Sequence, residues 1–155
     1  MCTIASVSTA MILWGCSGNG FESSNQTWKT YRNSRYGFEF PYPGNWDALA
    51  NPDNSDGIVL VSPQDKTVEI RSWAGKELPK SGNLEEEMAK KTNHNFQTAQ
   101  GVSGILVVKV DQQVSSVRLT ITRNQVEYYW QGQSNSQKFE TYYRLFYYIA
   151  REYRI

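Results

Sequence analysis

The chain contains very few of the residues that build metal sites and disulfide frameworks. Its 155 residues include two cysteines, Cys2 and Cys16, and one histidine, His94. Since no cysteine follows residue 16, the rest of the sequence has no means of forming a disulfide or a thiolate metal site, and a cluster of histidines is excluded by count. We therefore expect neither a metal nor another cofactor.

The sequence also lacks an excess of charge of either sign. Sixteen Lys and Arg residues face fifteen Asp and Glu residues, which gives a formal net charge of +1. This balance gives no indication of binding to nucleic acid or to anionic lipid. Aromatic residues, in contrast, make up 14% of the chain, with ten tyrosines. Such side chains suit the half-buried surface of a β-sheet.

No constellation of catalytic residues is evident. His94 has no serine or cysteine partner nearby in the sequence, so a solvated loop histidine is the expected reading. The carboxylates of Glu85, Glu86 and Glu87 are consecutive on a predicted helix and point apart. We predict that the protein is not an enzyme. A small-molecule or metal-binding module, or an enzyme with a site that the sequence does not reveal, is the alternative.

The first segment is uncharged and contains a short apolar run that is too short to span a bilayer. Leu13 and Gly15 precede Cys16 in an arrangement that resembles a bacterial lipoprotein signal. The resemblance implies a signal segment at residues 1–15 and acylation of Cys16, followed by a flexible tether at residues 16–29. The alternative is a buried N-terminal strand with an incidental cysteine.

Residues 30–155 carry periodic patterns of an α+β domain. Several stretches alternate as strands, "GILVVKV" (residues 104–110) is apolar on both faces as a central strand would be, and "SGNLEEEMAKK" (81–91) has a capped helical pattern. Aromatic residues then recur at helical spacing through "KFETYYRLFYYIAREYRI". We predict a twisted, mainly antiparallel sheet of about six strands with flanking helices, including a long C-terminal helix.

The stretch "YRNSRYGFEFPYPGNW" resembles the opening hairpin of the PsbP-like superfamily, whose fold is shared with the nuclear-transport factor Mog and the envelope lipoprotein DcrB. The matching positions are Tyr36, Gly37, Phe38, Tyr42, Pro43 and Trp46. The resemblance implies a structural motif without a catalytic set. It also implies the kind of role that its members have, as photosystem accessory subunits, a nuclear-transport cofactor or envelope lipoproteins.

These features together predict a lipid-anchored protein of the bacterial cell envelope with a non-catalytic protein-binding or accessory domain. Strand alternation assigns Arg71, Trp73, Arg118 and Tyr129 to the sheet face away from the C-terminal helix. Residues of these types are enriched at interface hot spots, so we predict that this face binds a partner in the envelope. The alternative is that the middle helix covers the face through Leu84 and Met88, leaving Trp73 in a second core.

Overall fold

The computed structural model describes residues 27–49, 55–77 and 93–155. Cys16, the predicted signal segment, most of the predicted tether and the predicted middle helix lie outside these ranges. Within them, the chain forms nine strands and one α-helix. The helix is too short and too polar for a membrane span, and none of the described helical residues belongs to a segment that would qualify.

A two-stranded antiparallel hairpin opens the described part of the chain. Strand β1 (Trp28–Arg32) pairs with β2 (Glu39–Pro43), so that Trp28 lies opposite Pro43. The expected boundary between tether and domain, at residue 30, therefore lies two residues inside β1. Trp28 belongs to the hairpin because it pairs with β2 and packs its ring on the C-terminal helix.

The main sheet has seven antiparallel strands in the order β3-β4-β5-β9-β8-β7-β6. These strands are β3 (Asp47–Ala48), β4 (Gly57–Val61), β5 (Glu69–Lys76), β6 (Phe96–Gln97), β7 (Ser103–Lys109), β8 (Val114–Arg123) and β9 (Val126–Asn135). The long strands β8 and β9 meet at a tight turn in which Asn124 and Gln125 both have positive φ. Such a turn matches the right-handed twist of the strands that it joins. The predicted mainly antiparallel α+β architecture is confirmed.

The C-terminal helix packs on one face of this sheet. A 3₁₀ turn (Ser136–Lys138) leads into α1 (Phe139–Arg151), whose inward positions are filled by Phe139, Leu145, Phe146, Ile149 and Ala150. They meet the inward residues of the sheet, Ile58, Leu60, Ile70, Val117, Leu119, Ile121 and Trp130, in one buried core. The hairpin closes the same core with Phe38 and Phe40, which stack on Tyr153. The face assignments predicted for β5, β8 and β9 follow this division.

Strand β7 is not the central covered strand that its apolar sequence indicated. It pairs along five residues with β8, but on its other side the only described strand that it pairs with is the two-residue β6. Val107 is 52% exposed and Val108 is 43% exposed. The expectation was wrong because an apolar run shows neither which strands pair with it nor what packs on its two faces, since both depend on distant parts of the chain.

Candidate protein-binding face

The sheet face away from α1 is formed by alternate residues of β5, β9 and β8. Along these strands, one set of side chains enters the core and the other set points to the opposite side, because successive residues of a strand alternate. The register places Trp73 opposite Tyr129 and Arg118 opposite Gln131. We call this the open face and define it by Arg71, Trp73, Arg118, Tyr129 and Gln131.

Two aromatic rings form the centre of the open face. Trp73 and Tyr129 are stacked, with ring centroids 5.1 Å apart and ring planes 18° from parallel. Trp73 is 38% exposed, and Tyr129 is half-buried beneath it. Offset stacking of this kind adds about 0.5–1.5 kcal/mol to the burial of the rings. The pair is thus a rigid aromatic platform that solvent reaches.

The hydroxyl of Tyr129 is held in its neutral form. It donates a hydrogen bond to Oε2 of Glu127 at 2.7 Å. Partial burial, this hydrogen bond and the charges of Glu127 and Glu77 together raise the pKa of Tyr129 to about 12. Tyr129 therefore remains protonated near neutral pH and has no use as a general base there.

Two arginines lie in the row next to the aromatic pair, on either side of Gln131. Arg118 donates from Nε and Nη2 to Oε1 of Gln131, at 3.0 and 2.8 Å, and its side chain stays exposed. Arg71 forms an ion pair with Glu69 at 2.5 Å, and this partner raises the pKa of Arg71. Since Arg71 and Arg118 both lie beside Gln131 on neighbouring strands, the two are separated by about two strand spacings, roughly 10 Å.

The structure brings all four predicted residues onto this one face. Sequence reasoning did not single out Gln131. Its Oε1 accepts the hydrogen bonds of Arg118 and so holds that side chain in place, and its Nε2 donates to Oε1 of Gln133. Its position in the strand alternation would have placed it on the face, but an amide side chain gives no particular sign of an interface. The stacking of Trp73 on Tyr129 was equally invisible, because it depends on the pairing register of two distant strands.

Other parts of the described surface offer little for chemistry. Among residues 27–49, 55–77 and 93–155, no group of three or more His, Cys, Asp or Glu side chains is arranged to hold a metal ion. His94 is exposed in the loop before β6. Clefts of about 270 Å³ and about 180 Å³ lie beside α1 and between α1 and the hairpin, respectively.

Comparison with known proteins gives a likeness of fold. The chain is similar to the solution structure of cyanobacterial PsbP (CyanoP) from Synechocystis sp. PCC 6803, with a TM-score of 0.59 and 13% sequence identity, over 91% of this chain and 99% of that one. A crystal structure from Bacteroides thetaiotaomicron aligns with a TM-score of 0.49 and 12% identity, over 76% of this chain and 44% of that one. No protein-family model matches the sequence, and neither does any curated protein. The chain has the PsbP-like fold.

Proposed function

We propose that this protein is a lipid-anchored protein of the bacterial cell envelope whose domain binds another envelope protein through the open face. The observation that supports it most is the stacked, accessible pair of Trp73 and Tyr129, which lies beside the row formed by Arg71, Gln131 and Arg118. Aromatic and arginine side chains are concentrated at the centres of protein interfaces. The PsbP-like fold supports a non-catalytic, accessory role, since the resemblance brings no catalytic residues with it.

The anchor in this proposal is the acylated Cys16. One acyl chain holds a protein only marginally at a membrane, whereas two or more make a stable anchor, because each buried methylene contributes about 0.8 kcal/mol. We expect Cys16→Ser to move the protein from the salt-washed membrane fraction to the soluble fraction, and mass spectrometry of the wild type to find acyl groups on Cys16. Cys2→Ser is the matched control and should stay in the membrane fraction. Intact residues 1–15 in the mature wild-type protein would contradict the anchor.

The binding role is tested by purifying the lipidated protein from detergent-solubilised membranes of its source cell. A partner that uses the open face should be recovered with the wild type and lost with Trp73→Ala and with Arg118→Ala. Hot-spot residues cost about 2 kcal/mol or more, so the loss should be about thirtyfold. Trp28→Ala, on the other side of the domain, is the control and should keep the partner.

Circular dichroism and thermal unfolding check that each variant is folded. Arg118→Ala removes an exposed side chain and leaves the core intact, so it tests the face even if Trp73→Ala unfolds the domain. Equal recovery of every partner with Arg118→Ala and the wild type would overturn the proposed binding face.

A further inference from the structure

A second surface of aromatic and arginine side chains lies on the outer side of α1. Arg144, Tyr147, Tyr148 and Arg151 lie there, and their spacing of three and four residues places them on one stripe of the helix. Trp28 of β1 adjoins the stripe at Tyr148. We call this the aromatic–arginine surface and define it by these five residues.

The aromatic rings of this surface are held in fixed positions although they are exposed. Trp28 meets Tyr148 edge-on, with ring centroids 5.2 Å apart, and Phe96 meets Tyr147 in the same way at 5.7 Å. Trp28, Tyr147 and Tyr148 are 37%, 40% and 46% exposed. Strands from both sides of the helix thus support a row of rings whose outer edges reach solvent.

The arginines of this surface are open to an anionic ligand. Arg144 and Arg151 line the cleft of about 270 Å³ together with Tyr143, Tyr147 and Tyr148, and neither arginine forms an ion pair with another described residue. The nearest carboxylates along the helix are Glu140, one turn before Arg144, and Glu152, which lines the other cleft. One planar guanidinium group can bind two phosphate oxygens at once through two parallel N–H donors.

The surface also lies where the chain from Cys16 joins the domain. Trp28 follows Thr27, which comes eleven residues after Cys16 in the sequence. Even fully extended, this connection spans at most about 40 Å. With a lipid on Cys16, Trp28 and the rings beside it are therefore nearest to the anchor along the chain, and the connection is short enough to keep the domain at the bilayer surface.

We propose that the aromatic–arginine surface rests on the membrane itself and binds anionic phospholipid headgroups. Trp and Tyr favour the membrane–water interface because they have an apolar body and a polar end, and arginines are attracted to the negative surface potential. The net charge of the whole chain is close to zero and therefore gives no sign of the local pair of arginines, Arg144 and Arg151. The inference builds on the proposed lipid anchor and adds the side of the domain that faces the bilayer. It leaves the open face, on the other side of the sheet, pointing away from the membrane toward a partner.

The test uses the full-length chain with Cys16→Ser, so that no acyl group contributes to binding. The protein is mixed with vesicles of phosphatidylcholine alone, or of phosphatidylcholine with phosphatidylglycerol, and the bound fraction is measured by sedimentation. We expect tighter binding to the anionic vesicles, weakening as salt is added. The preference should be about thirtyfold, since each arginine near an anionic surface contributes a factor of about five.

Three variants in the same background locate the binding. Arg144→Gln with Arg151→Gln should remove the preference for anionic vesicles. Trp28→Ala should weaken binding to both kinds of vesicle. Arg118→Gln, on the open face, is the matched control and should bind as the unsubstituted chain does. Residues 1–15 are the same in every variant, so differences among variants arise from the domain.

Equal binding to neutral and anionic vesicles would overturn the proposal. An equal loss from Arg118→Gln and from the pair of arginine substitutions on α1 would also overturn it. If those α1 substitutions leave vesicle binding unchanged but prevent recovery of a protein partner, the surface binds protein and the membrane assignment is wrong. None of these outcomes bears on acylation of Cys16, which is measured separately by mass.

Discussion

Asn33 organises the turn between β1 and β2 with all of its polar atoms. Its Oδ1 accepts hydrogen bonds from the backbone N–H groups of Arg35 and Tyr36, at 3.0 and 2.8 Å. Its Nδ2 donates to the hydroxyl of Tyr31 and to the carbonyl of Ser55, at 3.1 and 2.9 Å. The side chain is 2% exposed. One buried amide therefore shapes the turn and ties the hairpin to the segment that precedes β4.

Replacing Asn33 should destabilise the domain. We expect Asn33→Ala to lower the free energy of unfolding by about 2–3 kcal/mol, because it leaves several polar groups without partners. Asn33→Asp keeps the two acceptor bonds but sets a buried carboxylate oxygen against the carbonyl oxygen of Ser55, so its cost should be at least as large. Urea unfolding measures both. Ser34→Ala, at an exposed position of the same turn, should change stability by less than about 0.5 kcal/mol; equal effects at both positions would contradict the role given to the amide.

At the scale of elements, the sequence predicted which face of the sheet each side chain occupies better than it predicted which strands pair with each other. Alternation placed Ile70 and Trp73 on opposite faces of β5 and assigned Leu119 and Trp130 to the core, as the structure has them. The alternation of apolar and polar side chains depends only on neighbouring residues in the sequence, so a short stretch is enough to detect it. It does not say that β5 pairs with β9 or that β7 lies next to the end of the sheet.

Close packing of α1 on β9 depends on the glycine at position 132. A Cβ atom at Gly132 would lie 2.5 Å from Cγ of Phe146, which is too close for any side chain. The sequence showed the aromatic stripe of the helix but not this contact. A hydrophobic pattern records side chains that are present, so it gives no sign of where a side chain must be missing. At Gly75, in β5, a Cβ atom would have no other atom within 4 Å.

We therefore expect opposite results from two glycine substitutions. Gly132→Ala should lower the free energy of unfolding by about 2–3 kcal/mol through overpacking. Gly75→Ala should be neutral or raise it by up to about 1 kcal/mol, because the unfolded chain loses freedom. In the Gly132→Ala background, Phe146→Leu should cost less than in the wild type, by about 1 kcal/mol in a double-mutant cycle. Additive effects would show that the introduced methyl group does not meet the ring of Phe146.

At the scale of the whole molecule, an ion pair ties distant parts of the fold together. Nζ of Lys138, at the start of α1, donates to Oδ2 of Asp65 at 2.6 Å, across 73 residues of sequence. Asp65 lies in the turn between β4 and β5, where Thr67 donates to its other oxygen from both its backbone and its hydroxyl. The bond to Lys138 is the largest cause that lowers the pKa of Asp65 from 3.8 to about 2, and Thr67 lowers it further.

This shift predicts a specific acid dependence of stability. The pKa of Asp65 is lower in the folded state than in the unfolded one, so its contribution is complete above about pH 4 and is lost as the pH falls toward about 2. Lys138→Gln should raise the pKa of Asp65 toward its ordinary value and flatten stability over this window, as followed by NMR titration and urea unfolding. Asp111, whose pKa is lowered by the N–H of Gln112 and by Lys109, should be unchanged. A pKa of Asp65 still near 2 in the variant would refute the role of Lys138.

The tight turn at Asn124 and Gln125 also bears on the order in which the molecule assembles. It lets ten residues of β8 pair with ten of β9 after closing a loop of only two residues. The pairing of β5 with β9, in contrast, joins Trp73 to Tyr129 across more than fifty residues. The entropic cost of closing a loop rises with its length, so folding speed depends on how soon local contacts can form. We therefore expect the β8–β9 hairpin to form early in folding and the open face to be completed later, when β5 joins the hairpin.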